Sequence, residues 1–85
     1  MTIHIYVSLQ DDDRIVRFVM DKETGRLEQR GAVAVAGGPA PLAINPNRTA
    51  LYVGQRREFR LSSYEIDQKT GDLTPTGQVG LGGEP

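Results

Sequence analysis

The 85-residue chain contains no cysteine, and its net charge is only −1. Without cysteine the protein has no disulfide, no thiolate nucleophile and no zinc site of the usual cysteine type. The balance of acidic and basic residues also gives no broad field that would draw it to nucleic acid or to an anionic membrane. We therefore expect one small domain that binds neither nucleic acids nor membranes.

Long apolar runs are absent as well. No segment approaches the roughly 20 apolar residues that span a bilayer. The apolar stretch near the amino terminus breaks after Leu9 and has no basic residue before it. Because a secretory signal peptide needs a basic region and a longer apolar one, we expect a cytoplasmic protein.

The sequence also lacks the apolar period of a helix over any ten residues. Short segments rich in Ile, Val and Tyr alternate instead with turns rich in Gly, Pro, Asn and Asp. Such residues favour strands, and such turns favour hairpins. We predict an all-β fold with strands at 3–10, 14–21, 27–35, 41–45, 50–55, 60–67 and 73–81.

The chain contains an internal repeat. Residues 5–39 align without a gap with residues 51–85, and 11 of the 35 aligned positions are identical. A unit of four antiparallel strands in this length is typical of a β-propeller blade. We predict that residues 1–38 form an incomplete first blade without its inner strand and that residues 39–85 form a complete second blade. The alternative is a seven-stranded sandwich or barrel, which the gapless repeat disfavours.

Fewer than two blades cannot close a ring, so both strand edges would be open. We expect these edges to pair with missing blades of a longer chain or with another copy of the chain. In a propeller the substrate end is built from the loops between the second and third strands and from the crossings between blades. Here those segments are 9–13, 55–59 and 36–40.

The segment TALYVGQRREFRLSSYEID (49–67), between GGPAPLAINPNR and TGDLTPTGQV, resembles the bacterial 6-phosphogluconolactonases of the seven-bladed propeller type, the lactonase family. The family pattern is an LYVG-type strand, a loop with Arg and then Glu-Phe-Arg, and a strand ending in Tyr-x-Ile. It is matched by Arg56, Glu58, Phe59, Arg60, Tyr64 and Ile66. Arg57 departs from the pattern, where a proline or a small residue is expected. The resemblance covers essentially the whole chain but about a quarter of a family member.

The resemblance implies a lactone hydrolase of the pentose phosphate pathway, whose parent protein converts 6-phosphoglucono-1,5-lactone to 6-phosphogluconate and requires no metal and no cofactor. Two alternatives stay open: a non-catalytic propeller repeat that self-associates or serves as a binding scaffold, and a carboxymuconate-type lactonizing enzyme. Most of the family's catalytic surface lies in blades that this chain does not contain. We therefore expect negligible activity from the isolated 85 residues.

Lactone hydrolysis needs a base, a donor for the oxyanion and an anchor for the substrate. We predict that Arg56 and Arg57 bind the substrate, because the guanidinium fork suits phosphate oxygens. Glu58 is the candidate base, or it holds Arg56 or Arg60 in place. The alternative is an Arg–Glu–Arg cluster that only pins the loop. Arg60 recurs as Arg14, which indicates a structural role.

Other polar residues have simpler interpretations. Asp11, Asp12 and Asp13 lack the spacing of a calcium loop, so a solvated turn is favoured over a metal site. His4 is the only histidine and has no serine or cysteine partner in register, so we expect a partly exposed strand residue and not a member of a catalytic triad. Tyr6 and Tyr52 recur at one position of the repeat, and we expect both to pack in the core.

Overall fold

The computed structural model describes the backbone of residues 2–82 and the side chains of residues 3–82. Residues 83–85, the end of the predicted second blade, lie outside the described residues. Nearly all of the described chain is strand or turn, and each predicted strand is present with its ends within two residues of the prediction. The strands are β1 (Thr2–Leu9), β2 (Arg14–Asp21), β3 (Leu27–Ala34), β4 (Pro39–Ile44), β5 (Ala50–Gln55), β6 (Arg60–Ile66) and β7 (Leu73–Gly80). The all-β prediction is confirmed.

The strands form two separate antiparallel sheets. The first sheet has the order β1-β2-β3 and the second has the order β4-β5-β6-β7. Within each sheet every strand pairs with the next strand in the chain. A short 3-10 turn (Gln10–Asp12) joins β1 to β2. In the described residues no helix is long or apolar enough to cross a membrane.

Both sheets carry the same irregularity next to the outer strand. The β2–β3 register shifts between Arg17 and Phe18, and the β6–β7 register shifts between Ser63 and Tyr64, at equivalent positions of the repeat. Pro75 lies opposite Tyr64 at the second shift, on the edge strand β7. Proline has no N–H to contribute to a ladder, so it is confined to positions such as an edge strand or a register shift.

The two outer hairpin loops are the same structure. In each loop an aspartate Oδ1 accepts bonds from two backbone N–H groups, Asp21 at 2.8 and 3.3 Å and Asp67 at 2.8 Å twice. Each loop then turns through a glycine with positive φ, Gly25 at 76° and Gly71 at 79°. The aspartate cap and the left-handed glycine explain why the motif Asp-x-x-Thr-Gly recurs.

The core lies between the two sheets. It is formed by buried apolar side chains from both sheets, with partly buried residues packed around them: Ile15, Val35, Leu51, Val53, Tyr64 and Ile66, then Tyr6, Val33, Leu42 and Leu73. Apolar burial of this kind is the main favourable term in folding.

The repeated tyrosines differ in their surroundings. Tyr6 packs on the core, and its Oη donates to the carbonyl oxygen of Gly71 at 2.6 Å. Burial raises the pKa of the Tyr6 phenol above its ordinary value. Tyr52 is 39% exposed, so the prediction that both pack in the core is wrong for Tyr52. The reason is that Tyr52 lies on the face of the second sheet turned away from the first.

His4 packs against the loop between β6 and β7 that contains Gly71. A Cβ atom placed on Gly71 would lie 2.5 Å from His4 Nδ1. That nitrogen is buried and makes no hydrogen bond within the described part of the chain. His4 is therefore a packing residue at the junction of the two sheets.

Candidate functional site

Three connections meet at one end of the molecule: the turn after β1, the crossing from β3 to β4, and the turn after β5. The backbone N–H of Arg56 donates to Gly38 O at 3.1 Å, and that of Arg57 donates to Gly37 O at 2.8 Å. The N–H of Gly38 donates to Asp13 Oδ1 at 3.0 Å. The three segments that the propeller interpretation places at the substrate end are therefore bonded to one another.

The turns after β1 and β5 share a backbone. Asp13 and Phe59 are equivalent in the repeat and both have positive φ, 51° and 53°. The carbonyl of each accepts a bond from the end of the outer strand, from Val35 N at 2.9 Å and from Leu81 N at 2.6 Å. A positive φ is uncommon for residues other than glycine, so the shared geometry marks one turn design used twice.

Arg57 joins these two turns. Its guanidinium forms an ion pair with Asp13 through Nη2 and reaches Gln10 O through Nη1 at 3.5 Å. The guanidinium also covers Gly38, where a Cβ would lie 3.2 Å from Nη1. Both charged groups are about half exposed. This contact accounts for an arginine at the position that departs from the family pattern, and its role in substrate binding stays a prediction.

Asp13 is therefore more than a residue of a solvated turn. Its carboxylate accepts from a backbone N–H and from Arg57, while Asp12 lies 3.8 Å from Arg14. Among the described residues no group of three or more His, Asp or Glu side chains could hold a metal ion.

Glu58 and Arg60 form a second contact. Glu58 Oε1 lies 3.5 Å from Arg60 Nη1, and Arg60 Nη1 also donates to Gln78 Oε1 at 3.0 Å. The equivalent pair in the first sheet is Asp12 with Arg14. A carboxylate two residues before the arginine thus recurs in both turns, which supports the structural interpretation of Arg60.

Glu58 also lies against the crossing. A Cβ on Gly37 would lie 2.7 Å from Glu58 Cγ, and Gly37 has a φ of 84°. The positive φ favours glycine at this position, and a side chain there would also displace Glu58. The crossing GGPAP is a packing element under the β5 turn, as the blade-to-blade interpretation expects.

Sequence reasoning missed a buried polar pair beneath this turn. Gln55 Nε2 donates to Ala36 O at 2.9 Å, and Gln55 Oε1 accepts from Ser62 Oγ. Both side chains are buried. The spacing in the sequence could have indicated this pair. Gln55 lies two residues after Val53, and Ser62 lies two residues before Tyr64, so each polar side chain is on the same face of its strand as a core residue.

The structure brings only some of the predicted site residues together. A groove of about 570 Å³ lies beside the crossing and is lined by Glu58 and Arg60, with Gln55 and Gln78 among its other walls. Arg56 and Arg57 are not part of that lining. Arg56 is partly buried in the turn above β5. The groove therefore contains Glu58 and Arg60 but neither of the two arginines that were predicted to bind the substrate.

Comparison with known proteins identifies the architecture. The family described as "Lactonase, 7-bladed beta-propeller" matches residues 3–85. The chain is 38% identical over 81 residues to proteins named 6-phosphogluconolactonase from Pectobacterium atrosepticum and from Sodalis glossinidius. These alignments cover 95% of this chain and 24% of each relative.

A solved structure has the same fold. The periplasmic gluconolactonase of Pseudomonas aeruginosa superposes with a TM-score of 0.87 at 23% identity, over 95% of this chain and 23% of that protein. The propeller prediction is thereby confirmed over the sandwich or barrel alternative. The chain spans about a quarter of the length of the curated relatives it matches. On the family match and these relatives, the chain belongs to the seven-bladed β-propeller lactonase family.

Proposed function

We propose that the protein to which this chain contributes hydrolyses 6-phosphoglucono-1,5-lactone to 6-phosphogluconate, in the pentose phosphate pathway and in the cytoplasm. The observation that carries the proposal is the 38% identity, over nearly the whole chain, to proteins named 6-phosphogluconolactonase. A phosphorylated sugar is a metabolite of the cell interior, which is the reason for the proposed location. Residues 1–38 serve as an incomplete first blade and residues 39–85 as the second.

In this reaction water attacks the lactone carbonyl carbon, an oxyanion forms, and the ring C–O bond breaks as the ring oxygen takes a proton. Arg56 anchors the phosphate in our proposal, since a guanidinium binds phosphate oxygens in pairs. Arg57 contributes positive charge beside it while it stays paired with Asp13. Neither role needs a metal or an organic cofactor.

Glu58 has two candidate roles. It is the base that takes a proton from water, or it orients Arg60, from which it lies 3.5 Å away. A Glu58→Gln variant of an active parent separates them. Loss of a base lowers kcat by about 10²-fold or more, whereas loss of an orienting contact leaves kcat within a few fold.

The proposal is tested with a chimera in which this chain replaces the matching segment of the Pectobacterium atrosepticum enzyme. We expect the chimera to hydrolyse 6-phosphoglucono-1,5-lactone far above the spontaneous rate. The isolated 85 residues should show only the spontaneous rate, because one turn is too little of a site. A folded chimera without activity would overturn the proposal, and competition by 6-phosphogluconate would separate it from a carboxymuconate-type activity.

A further inference from the structure

Asp13, in the turn after β1, is bonded to both of the other connections at the candidate site. Its carboxylate Oδ1 accepts a bond from the N–H of Gly38 at 3.0 Å and forms an ion pair with the Arg57 guanidinium. Its backbone carbonyl accepts a bond from the N–H of Val35 at 2.9 Å. A single residue of the first turn therefore holds the crossing from β3 to β4 and the turn after β5.

These bonds lead to both arginines that are proposed to bind the substrate. Gly38, whose N–H is bonded to Asp13, accepts a bond through its carbonyl oxygen from the N–H of Arg56 at 3.1 Å. Arg57 contacts Asp13 directly, and its guanidinium lies over Gly38, where a Cβ would be 3.2 Å from Nη1. A movement of the Asp13 carboxylate would therefore displace the support of Arg56 and the side chain of Arg57 together.

The internal repeat separates the role of this carboxylate from the formation of the turn. Phe59, the repeat equivalent of Asp13, has nearly the same φ, 53° against 51°. Its carbonyl also accepts a backbone bond, from the N–H of Leu81 at 2.6 Å. A phenylalanine side chain has no oxygen or nitrogen acceptor, so this turn forms without a carboxylate at that position. What the carboxylate of Asp13 adds is the link to the crossing and to Arg57.

We propose that Asp13 is a positioning residue for recognition of the substrate phosphate, an inference that rests on the proposed function. Asp13 does not touch the substrate. It holds the crossing on which Arg56 rests, and it orients the guanidinium of Arg57. The negative charge of Asp13 by itself acts against binding of an anion, because like charges repel. Orientation and repulsion therefore predict opposite effects when that charge is removed, and in this proposal orientation prevails.

The first test is Asp13→Asn in the Pectobacterium atrosepticum chimera. Asparagine tolerates the positive φ and keeps an oxygen for the N–H of Gly38, but it loses the ion pair with Arg57. KM for 6-phosphoglucono-1,5-lactone should rise by about 2- to 5-fold, as expected for a half-exposed pair. The value of kcat, and both constants for the unphosphorylated lactone, should not change. Asp11→Asn is the matched control, because it removes the same charge from an exposed residue of the same turn and should leave KM unchanged.

The second test does not depend on activity. Asp13→Gly accommodates the positive φ and removes both side-chain contacts. Amide hydrogen exchange, read by mass spectrometry on the chimera, should become about 3- to 10-fold faster in residues 36–40 and 55–59. Asp13→Asn should accelerate exchange chiefly in residues 55–59, because it keeps the bond to Gly38. The loop between β6 and β7, which is capped by Asp67, should exchange as in the wild type in both variants.

Three results would overturn the proposal: an unchanged or lowered KM in Asp13→Asn, an equal loss of kcat/KM for the two lactones, or unchanged exchange in Asp13→Gly. The second result would give Asp13 a role in stability alone. An inactive wild-type chimera would instead count against the proposed function, while hydrogen exchange would still decide whether Asp13 holds the two connections. Far-ultraviolet circular dichroism checks that each variant is folded. If Asp13→Gly does not fold, the exchange of residues 55–59 in Asp13→Asn takes its place.

Discussion

The turn after β1 and the turn after β5 have the same backbone conformation but opposite charge. Both end on a residue with positive φ, and both place a carboxylate two residues before an arginine. The first turn carries three aspartates, whereas the second carries Arg56 and Arg57. The repeated residues therefore maintain the backbone of the turn, while the candidate substrate-binding residues lie where the two copies differ. Four sets of substitutions test that division, in order of decreasing effect.

Gly71 and Gly25 have the same φ but different surroundings. Substitution by alanine at either costs about 1 kcal/mol for a left-handed backbone. At Gly71 the added Cβ also meets His4 Nδ1 at 2.5 Å, and such overpacking adds about 1–3 kcal/mol. Chemical unfolding should therefore show Gly71→Ala to be clearly less stable than Gly25→Ala. Equal losses would contradict the packing of His4 on this loop.

Tyr6 and Tyr52 share a repeat position but not a hydrogen bond. Tyr6→Phe removes the bond to Gly71 O and should lower the free energy of unfolding by about 1 kcal/mol. Tyr52→Phe should change it by only a few tenths of a kcal/mol, because the ring is 39% exposed. Thermal unfolding of the two variants measures the difference. A larger loss at Tyr52 would mean that its side chain is covered within the chain.

Arg57 and Asp13 connect the two turns. Because both groups are half exposed, their coupling should be only about 0.2–1 kcal/mol. A double-mutant cycle with Arg57→Gln and Asp13→Asn isolates it. Raising the salt concentration should reduce the coupling further, as for any exposed ion pair. A coupling of zero at low salt would show that the turns are held by their backbone bonds alone.

Substitution of Asp67 should have the smallest effect on stability. Backbone N–H bonds from Thr70 and then Lys69 lower the pKa of its carboxyl below the ordinary value of 3.8. A lowered folded-state pKa contributes stability that is present above pH 3.8 and is lost as pH falls through the folded pKa. Asp67→Asn should therefore flatten the decline in stability at acid pH. An NMR titration of Asp67 with a pKa above 3.8 would contradict the cap.

Much of the fold was predictable from the repeat. Strand ends and the Asp-x-x-Thr-Gly loops follow from local patterns that occur twice in the chain. The location of the charged turn was predictable in the same way. The Arg57–Asp13 pair, the packing of His4 on Gly71 and the Gln55–Ser62 pair were not. The first two depend on how the two sheets dock, which strand periodicity does not encode. The third lies within one hairpin, but periodicity shows only that its residues face inward.

The same limit explains the error at Tyr52. The repeat shows that Tyr6 and Tyr52 occupy one position of a sheet, but it does not show which sheet has a neighbour on that face. Tyr6 is covered by the second sheet, while Tyr52 faces outward from it. Equivalent residues of two repeats therefore have the same backbone geometry, but they do not need to be equally buried.

The central functional claim is that the non-repeated Arg56 recognises the substrate phosphate. The direct measurement is kcat/KM of the Pectobacterium chimera for 6-phosphoglucono-1,5-lactone and for the unphosphorylated lactone, with and without Arg56→Gln. Arg48→Gln, in the exposed turn after β4, is the control. We predict that Arg56→Gln lowers the preference for the phosphorylated lactone by about tenfold or more, while the control leaves it unchanged. A preference that survives Arg56→Gln would contradict the assignment.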